Sequence, residues 1–148
     1  MAQRKLTIQP RFLEFIPEEL QPGVLYVSAH YKTALHLCCC GCGQEVVTPL
    51  NKAGWEVHCS YGKVTMWPSI GNWDYPCQSH YFIKNNQVVW AELMTKSEIR
   101  RVKQRDEHER IKYLGDVNAA KVTSGELKFQ EEGWRKVWLA RLRNWINF

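Results

Sequence analysis

The sequence predicts an α+β protein in which a small, mostly antiparallel β-sheet or barrel is followed by C-terminal helices. Three observations support this fold class. Short segments rich in β-branched and aromatic residues recur through the first 94 residues, four cysteines fall within five positions, and Glu, Lys and Arg become frequent after residue 94. With 148 residues, the chain is long enough to bury a hydrophobic core of its own.

The predicted strands begin after a turn at residues 17–23, which contains two prolines and a glycine. They cover residues 24–28, 33–37, 45–48, 55–59, 63–67, 80–83 and 87–90. Tyr61-Gly62 and Asn85-Asn86 separate neighbouring segments and are typical of hairpin turns. Strands this short and this closely spaced favour antiparallel pairing.

The charge distribution predicts two parts: a β-rich core at residues 1–94 and a basic helical extension at residues 95–148 that packs on the core. The core segment holds seven Lys/Arg and seven Asp/Glu, whereas the extension holds thirteen and eight. Within the extension, Trp134, Trp138, Leu142 and Trp145 share one face of a predicted helix. This stripe suits either the core of the chain itself or the docking of a partner.

The basic excess of the extension suits an acidic protein partner, and nucleic acid is a less favoured alternative. The basic N-terminus lacks a following apolar segment, and no apolar run is long enough to cross a bilayer. We therefore expect no membrane association and a cytoplasmic location, where thiols stay reduced.

The four clustered cysteines, Cys38, Cys39, Cys40 and Cys42, predict a metal site. In an extended segment, Cys38, Cys40 and Cys42 point to the same side, and Gly41 and Gly43 allow a tight turn around an ion. We call residues 38–43 the zinc knuckle, because crowded thiolates favour zinc over an iron–sulfur cluster or disulfides. Cys77 is the best fourth ligand, and His80 or His36 is the alternative.

Three sequence pieces together resemble a known family. They are Cys40-Gly41-Cys42-Gly43, Pro68-Ser69-Ile70-Gly71-Asn72 and Cys77-Gln78-Ser79-His80. Across roughly residues 17–95 the chain is similar to an uncharacterised family of small bacterial and phage proteins, encoded in some genomes beside genes for ubiquitin-like conjugation. The resemblance implies a metal-binding fold in which Cys39 is not a ligand. It also implies a peptidase that processes or removes a ubiquitin-like protein, with that protein or its conjugates as the partner.

The residues suggest a serine–histidine centre for this chemistry. Pro68 and Gly71 bracket Ser69 in what reads as a tight turn, which would expose its hydroxyl as a nucleophile. His80, or alternatively His36, would act as the base, and Asn72 would stabilise the oxyanion. In a second mechanism, a metal with an open position would activate water, with Glu45 as the base. A zinc-stabilised, non-catalytic interaction module is the main alternative to an enzyme.

Overall fold

The computed structural model describes residues 4–124, which form eight strands and one helix. The strands are β1 (Gln9–Phe12), β2 (Val24–Ser28), β3 (Thr33–Leu37), β4 (Glu45–Pro49), β5 (Glu56–Ser60), β6 (Lys63–Gly71), β7 (His80–Lys84) and β8 (Gln87–Trp90), and the helix is α1 (Lys96–Ser124). The predicted α+β class is confirmed. Within these residues the strands form two open, mostly antiparallel sheets, and no closed barrel is present.

The first sheet has the strand order β1-β2-β3-β4. Strand β3 is antiparallel to both β2 and β4, but β1 runs parallel to β2, with Gln9 paired to Val24. Alternate residues of β3 and β4 are buried, as expected for strands with one face toward a core. The cysteine-rich loop connects these two strands at one end of the sheet.

The second sheet is fully antiparallel, in the order β5-β6-β7-β8. Its hairpins turn at Tyr61-Gly62 and Asn85-Asn86, as the sequence predicts. Both asparagines have positive φ angles, 48° and 67°, a conformation that asparagine tolerates better than most residues. The hairpins set the register of β5 against β6 and of β7 against β8, and β6 and β7 carry the candidate catalytic residues.

One hydrophobic core joins the two sheets. Its buried members come from both of them and from the N-terminal segment: Ile8, Leu25, Val27, Ala34, Val46, Val64, Met66, Ile70, Tyr81, Ile83 and Val88. Cys38 and Cys39 belong to the same cluster, so the zinc knuckle is anchored in the core rather than attached at the surface. This packing holds the knuckle at a fixed position beside the second sheet.

Strand β6 contains a bulge around Ser69. Met66 pairs with Ile83 and Ile70 pairs with Tyr81, so β6 has two more residues than β7 between these pairs. The sequence predicts a tight turn at residues 68–71, but the structure continues β6 through Gly71. Pro68 fits inside the strand because a bulge does not require its missing N–H for the ladder.

Helix α1 begins with a capping box. The hydroxyl of Thr95 accepts the backbone N–H of Glu98 at 3.3 Å, and the Glu98 carboxylate accepts the backbone N–H of Thr95 at 2.7 Å. No residue of α1 is fully buried. The chain divides into compact units at Asp106, so residues 107–124 of the helix belong to a second unit.

The predicted boundary at residue 94 and the packing of the extension on the core stay predictions. The predicted tryptophan-bearing helix lies outside the described residues. Within residues 4–124, no helix is long and apolar enough to span a membrane.

Candidate active site and metal centre

The zinc knuckle is the connection between β3 and β4. The backbone N–H of Cys38 donates to the carbonyl of Gln44 at 2.8 Å, and the N–H of Gly41 donates to the carbonyl of Cys38 at 3.0 Å. Gly41 and Gly43 have φ angles of 86° and 81°, which favour glycine. The two glycines therefore allow the loop to fold its thiols to one side.

The sulfur atoms of Cys38, Cys40, Cys42 and Cys77 all lie within 4.8 Å of one another. The separation is 3.4 Å for Cys38 and Cys40, 3.9 Å for Cys38 and Cys77, and 3.8 Å for Cys42 and Cys77. Four sulfurs at about 2.3 Å from a tetrahedral ion lie about 3.8 Å apart. The four residues predicted as ligands thus come together in a group with metal-site dimensions.

The electrostatics of these thiols also fit a bound cation. Burial raises the pKa values of Cys38 and Cys40, which opposes free thiolates. Burial tends to raise the pKa of Cys77, but hydrogen bonds involving Ser79, Cys40 and Cys42 outweigh this effect and lower the pKa to about 7. A divalent cation would compensate the charge of the crowded thiolates, so this donor set suits a soft metal ion.

Two buried polar residues, Ser79 and Asn72, contact the sulfur cluster. The Ser79 hydroxyl lies 3.0 Å from the sulfur of Cys38 and 3.5 Å from that of Cys77. The side-chain amide of Asn72 donates to Ser79 Oγ at 2.9 Å and to Cys38 Sγ at 3.5 Å. The two N–H groups of the Asn72 side chain thus point toward the metal centre. Its predicted role as oxyanion donor stays a prediction, and this arrangement does not favour it.

Ser69 and His80 face each other on the second sheet. Ser69 Oγ lies 3.0 Å from His80 Nε2, within the range of a hydrogen bond. His80 pairs with Gly71, two residues after Ser69, so both side chains lie on the same face of the sheet. The serine and histidine predicted as nucleophile and base are therefore in hydrogen-bonding contact.

The environment of His80 favours the neutral imidazole. Its pKa is lowered because partial burial disfavours the charged form, and the backbone of Glu92 offsets part of this effect. Nδ1 of His80 is buried, and within residues 4–124 it has no hydrogen-bond partner of normal geometry. A neutral imidazole at neutral pH can accept a proton from a serine hydroxyl.

Trp73 packs against the imidazole of His80, and the sequence did not indicate this contact. The two rings are 4.8 Å apart between centroids, at an angle of 60°. The indole also lies over Gly71, where an added Cβ would collide with it. Gly71 is thus the residue that makes room for the indole beside the candidate base.

His36 lies in the core behind the knuckle. Its Nε2 is 2.8 Å from the hydroxyl of Tyr81, and burial lowers its pKa to about 4. The same hydroxyl accepts the backbone N–H of Cys39 at 3.4 Å. Cys39 is buried and outside the group of four thiols, and burial raises its pKa to about 12. His36 as base or ligand stays a prediction, and its bond to Tyr81 does not favour it.

Comparison with known protein families gives a match for the central part of the chain. The family described as bacterial ubiquitination-like system serine protease (BubE) matches residues 12–91, which include the zinc knuckle, Ser69 and His80. No curated protein and no solved structure shows significant similarity to the chain.

Proposed function

The chain belongs to the family of bacterial ubiquitination-like system serine proteases (BubE), and on that premise we propose that it is a serine protease. Its substrate in this proposal is a ubiquitin-like protein, either as a precursor or as a conjugate. The observation that carries the proposal is the 3.0 Å distance between Ser69 Oγ and His80 Nε2. This distance is what a serine nucleophile and its general base require.

The reaction follows from that contact. His80 Nε2 takes the hydroxyl proton as Ser69 Oγ attacks the carbonyl carbon of the scissile amide. The tetrahedral intermediate collapses, the C–N bond breaks, and the imidazolium gives its proton to the leaving amine. Water, deprotonated by His80, then attacks the ester on Ser69. The C–O bond to Ser69 breaks, His80 returns the proton to Ser69 Oγ, and the acid product is released.

Within residues 4–124, the buried Nδ1 of His80 has no hydrogen-bond partner of normal geometry, so no carboxylate takes the place of a third catalytic group there. The backbone of Glu92 raises the pKa of His80 against the larger effect of burial. A peptide dipole stabilises an imidazolium less than a carboxylate does, so the base is a weaker one than in a Ser-His-Asp triad. Trp73 supplies the contact that keeps the ring in place.

The metal in this proposal is zinc, held by Cys38, Cys40, Cys42 and Cys77. Four thiolates complete a tetrahedral zinc site and leave no position for a catalytic water, so the zinc would have a structural role. This is why we propose the serine mechanism over metal-activated water. Cys77 lies only three residues before His80, and Ser79 between them contacts two ligand sulfurs. The site would thereby fix the start of β7 and its histidine.

The proposal is tested with a ubiquitin-like protein of a bacterial ubiquitination-like system that carries a C-terminal peptide extension. Wild-type protein should cleave the extension and react with a fluorophosphonate probe at Ser69. Ser69→Ala should lose both activities while keeping its metal and its thermal unfolding midpoint. Ser60→Ala is the matched control, because Ser60 is exposed at the end of β5. Cleavage that persists in Ser69→Ala contradicts the nucleophile, and a wild-type protein that binds without cleaving supports an interaction module.

A further inference from the structure

A row of apolar side chains borders the serine–histidine pair on the outer face of the second sheet. Trp67 and Phe82 stack with ring centroids 6.3 Å apart and an interplanar angle of 27°. Val89 pairs with Phe82 on the neighbouring strand. We call Trp67, Phe82 and Val89 the apolar shelf. Trp67 remains 60% exposed and Val89 41% exposed, so the face of the shelf is open to solvent.

The position of the shelf links it to the candidate active site. Trp67 lies two residues before Ser69 on β6, and Phe82 lies two residues after His80 on β7. On the regular strand β7, residues two apart share a face and are about 6.6 Å apart, so Phe82 lies on the face of His80. The β6 bulge lies between Trp67 and Ser69, and it is the stacking of Trp67 on Phe82 that places the indole on this face. The imidazole of His80 and the ring of Phe82 are 6.1 Å apart between centroids. The shelf therefore begins about two residues of extended chain away from the reacting atoms.

On the proposed function, we infer that the apolar shelf is a specificity site that receives an apolar side chain of the substrate. A peptide whose scissile carbonyl is at Ser69 has to cross this face of the sheet, and an extended peptide repeats its side-chain direction every two residues. The side chain that reaches the shelf is the one two residues from the scissile bond. The exposed ring of Trp67 gives it a flat apolar surface.

The charge next to the shelf is compatible with an apolar occupant. Lys84 lies two residues after Phe82 on β7, and its Nζ lies over the ring of Phe82, 4.8 Å from the ring centroid. Its ammonium marks the polar border of the shelf. The most exposed apolar surface of the shelf is the ring of Trp67.

The experiment separates binding on the shelf from chemistry at Ser69. Trp67→Ala removes the exposed indole, Trp67→Phe keeps an aromatic surface, and Tyr61→Ala is the matched control because Tyr61 is fully exposed in the β5–β6 hairpin. One probe is a small fluorophosphonate, which reacts at Ser69 without reaching the shelf. The other is the ubiquitin-like protein with a C-terminal extension.

With the ubiquitin-like substrate, Trp67→Ala should raise KM about ten- to hundredfold and leave kcat nearly unchanged. Trp67→Phe should lie between Trp67→Ala and wild type, and Tyr61→Ala should match wild type. The rate of fluorophosphonate labelling should be equal in all four proteins. An unchanged KM in Trp67→Ala contradicts the specificity site but not the proposed function. The same conclusion follows if Trp67→Ala slows fluorophosphonate labelling and substrate cleavage equally. A wild-type protein inert to both probes contradicts the proposed function itself.

Discussion

The hydroxyl of Ser79 lies 3.0 Å from the sulfur of Cys38, across the boundary between the metal centre and strand β7. The next residue is His80, which faces Ser69 on the opposite side of the strand, because successive side chains alternate. One short segment thus carries a metal ligand, a partner of the ligand sulfurs and the candidate base. The integrity of the metal site is therefore linked to the position of the imidazole.

Replacing Cys77 by serine should remove one metal ligand and disturb the start of β7. We expect loss of bound metal, a lower thermal unfolding midpoint and loss of peptidase activity, because a structural zinc site contributes directly to folding free energy. Elemental analysis, thermal unfolding and cleavage assays on the same sample check this. Cys59→Ser is the matched control, since Cys59 is exposed and outside the group of four thiols. Full metal retention in Cys77→Ser would contradict the assignment of Cys77.

Ser79→Ala should weaken metal binding while leaving all four sulfurs in place. Hydrogen bonds to ligand atoms typically change metal affinity by about 10- to 100-fold when removed. The measurement is competition with a chelator of known affinity, with Ser60→Ala as the exposed control. Substituting cobalt for the native metal adds a second readout, since the sulfur-to-cobalt absorption should shift in Ser79→Ala. Equal chelator resistance in both variants would show that the Ser79 hydroxyl does not support the cluster.

Peptidase activity should rise with pH and level off below the ordinary histidine range. The base must be neutral to accept the serine proton, and burial lowers the pKa of His80 below the ordinary histidine value of 6.5. The rate is therefore lost as the pH falls through a midpoint under 6.5. The check is kcat/KM against pH, restricted to the range in which the protein keeps its metal. A midpoint above 6.5 would mean that the histidine is charged at neutral pH and would argue against this base.

Much of the fold follows from local sequence signals. The hairpins at Tyr61-Gly62 and Asn85-Asn86 and the alternation in β3 and β4 are encoded by residues close in sequence. Strand β1 was not predicted, because its sequence Gln-Pro-Arg-Phe is a poor strand former. It pairs with β2 in parallel, a contact set by tertiary packing. The extension of β6 through Pro68 was also missed, since a bulge accommodates the proline.

Some features of the candidate site also follow from the sequence, whereas others depend on the folded structure. Clustered cysteines are typical metal ligands, and serine and histidine are typical nucleophile and base, so these residues can be identified as candidates from the sequence. The direction of a side chain such as Asn72 depends on strand register and on the neighbours that the fold supplies. Its amide donates to Ser79 and Cys38, seven and thirty-four positions away. The contact between Trp73 and His80 likewise arises only when the loop after β6 folds back over Gly71.

Gly71→Ala tests that contact. A Cβ at Gly71 would collide with the indole of Trp73, so the ring has to move away from His80. We expect kcat to fall about tenfold or more, because a small displacement of a catalytic group is costly, with a loss of stability of about 1–3 kcal/mol from overpacking. Gly115→Ala is the matched control, since a Cβ there meets nothing within 4 Å. The measurements are steady-state kinetics and urea unfolding.

Adding Trp73→Ala to Gly71→Ala separates the collision from the loss of the indole. The second substitution removes the clash and should recover most of the lost stability. It should not recover kcat if the indole holds the imidazole against Ser69, because the ring contact is absent in both variants. Full recovery of kcat in the double variant would show that Trp73 only fills space beside His80 and that the strand alone positions the base.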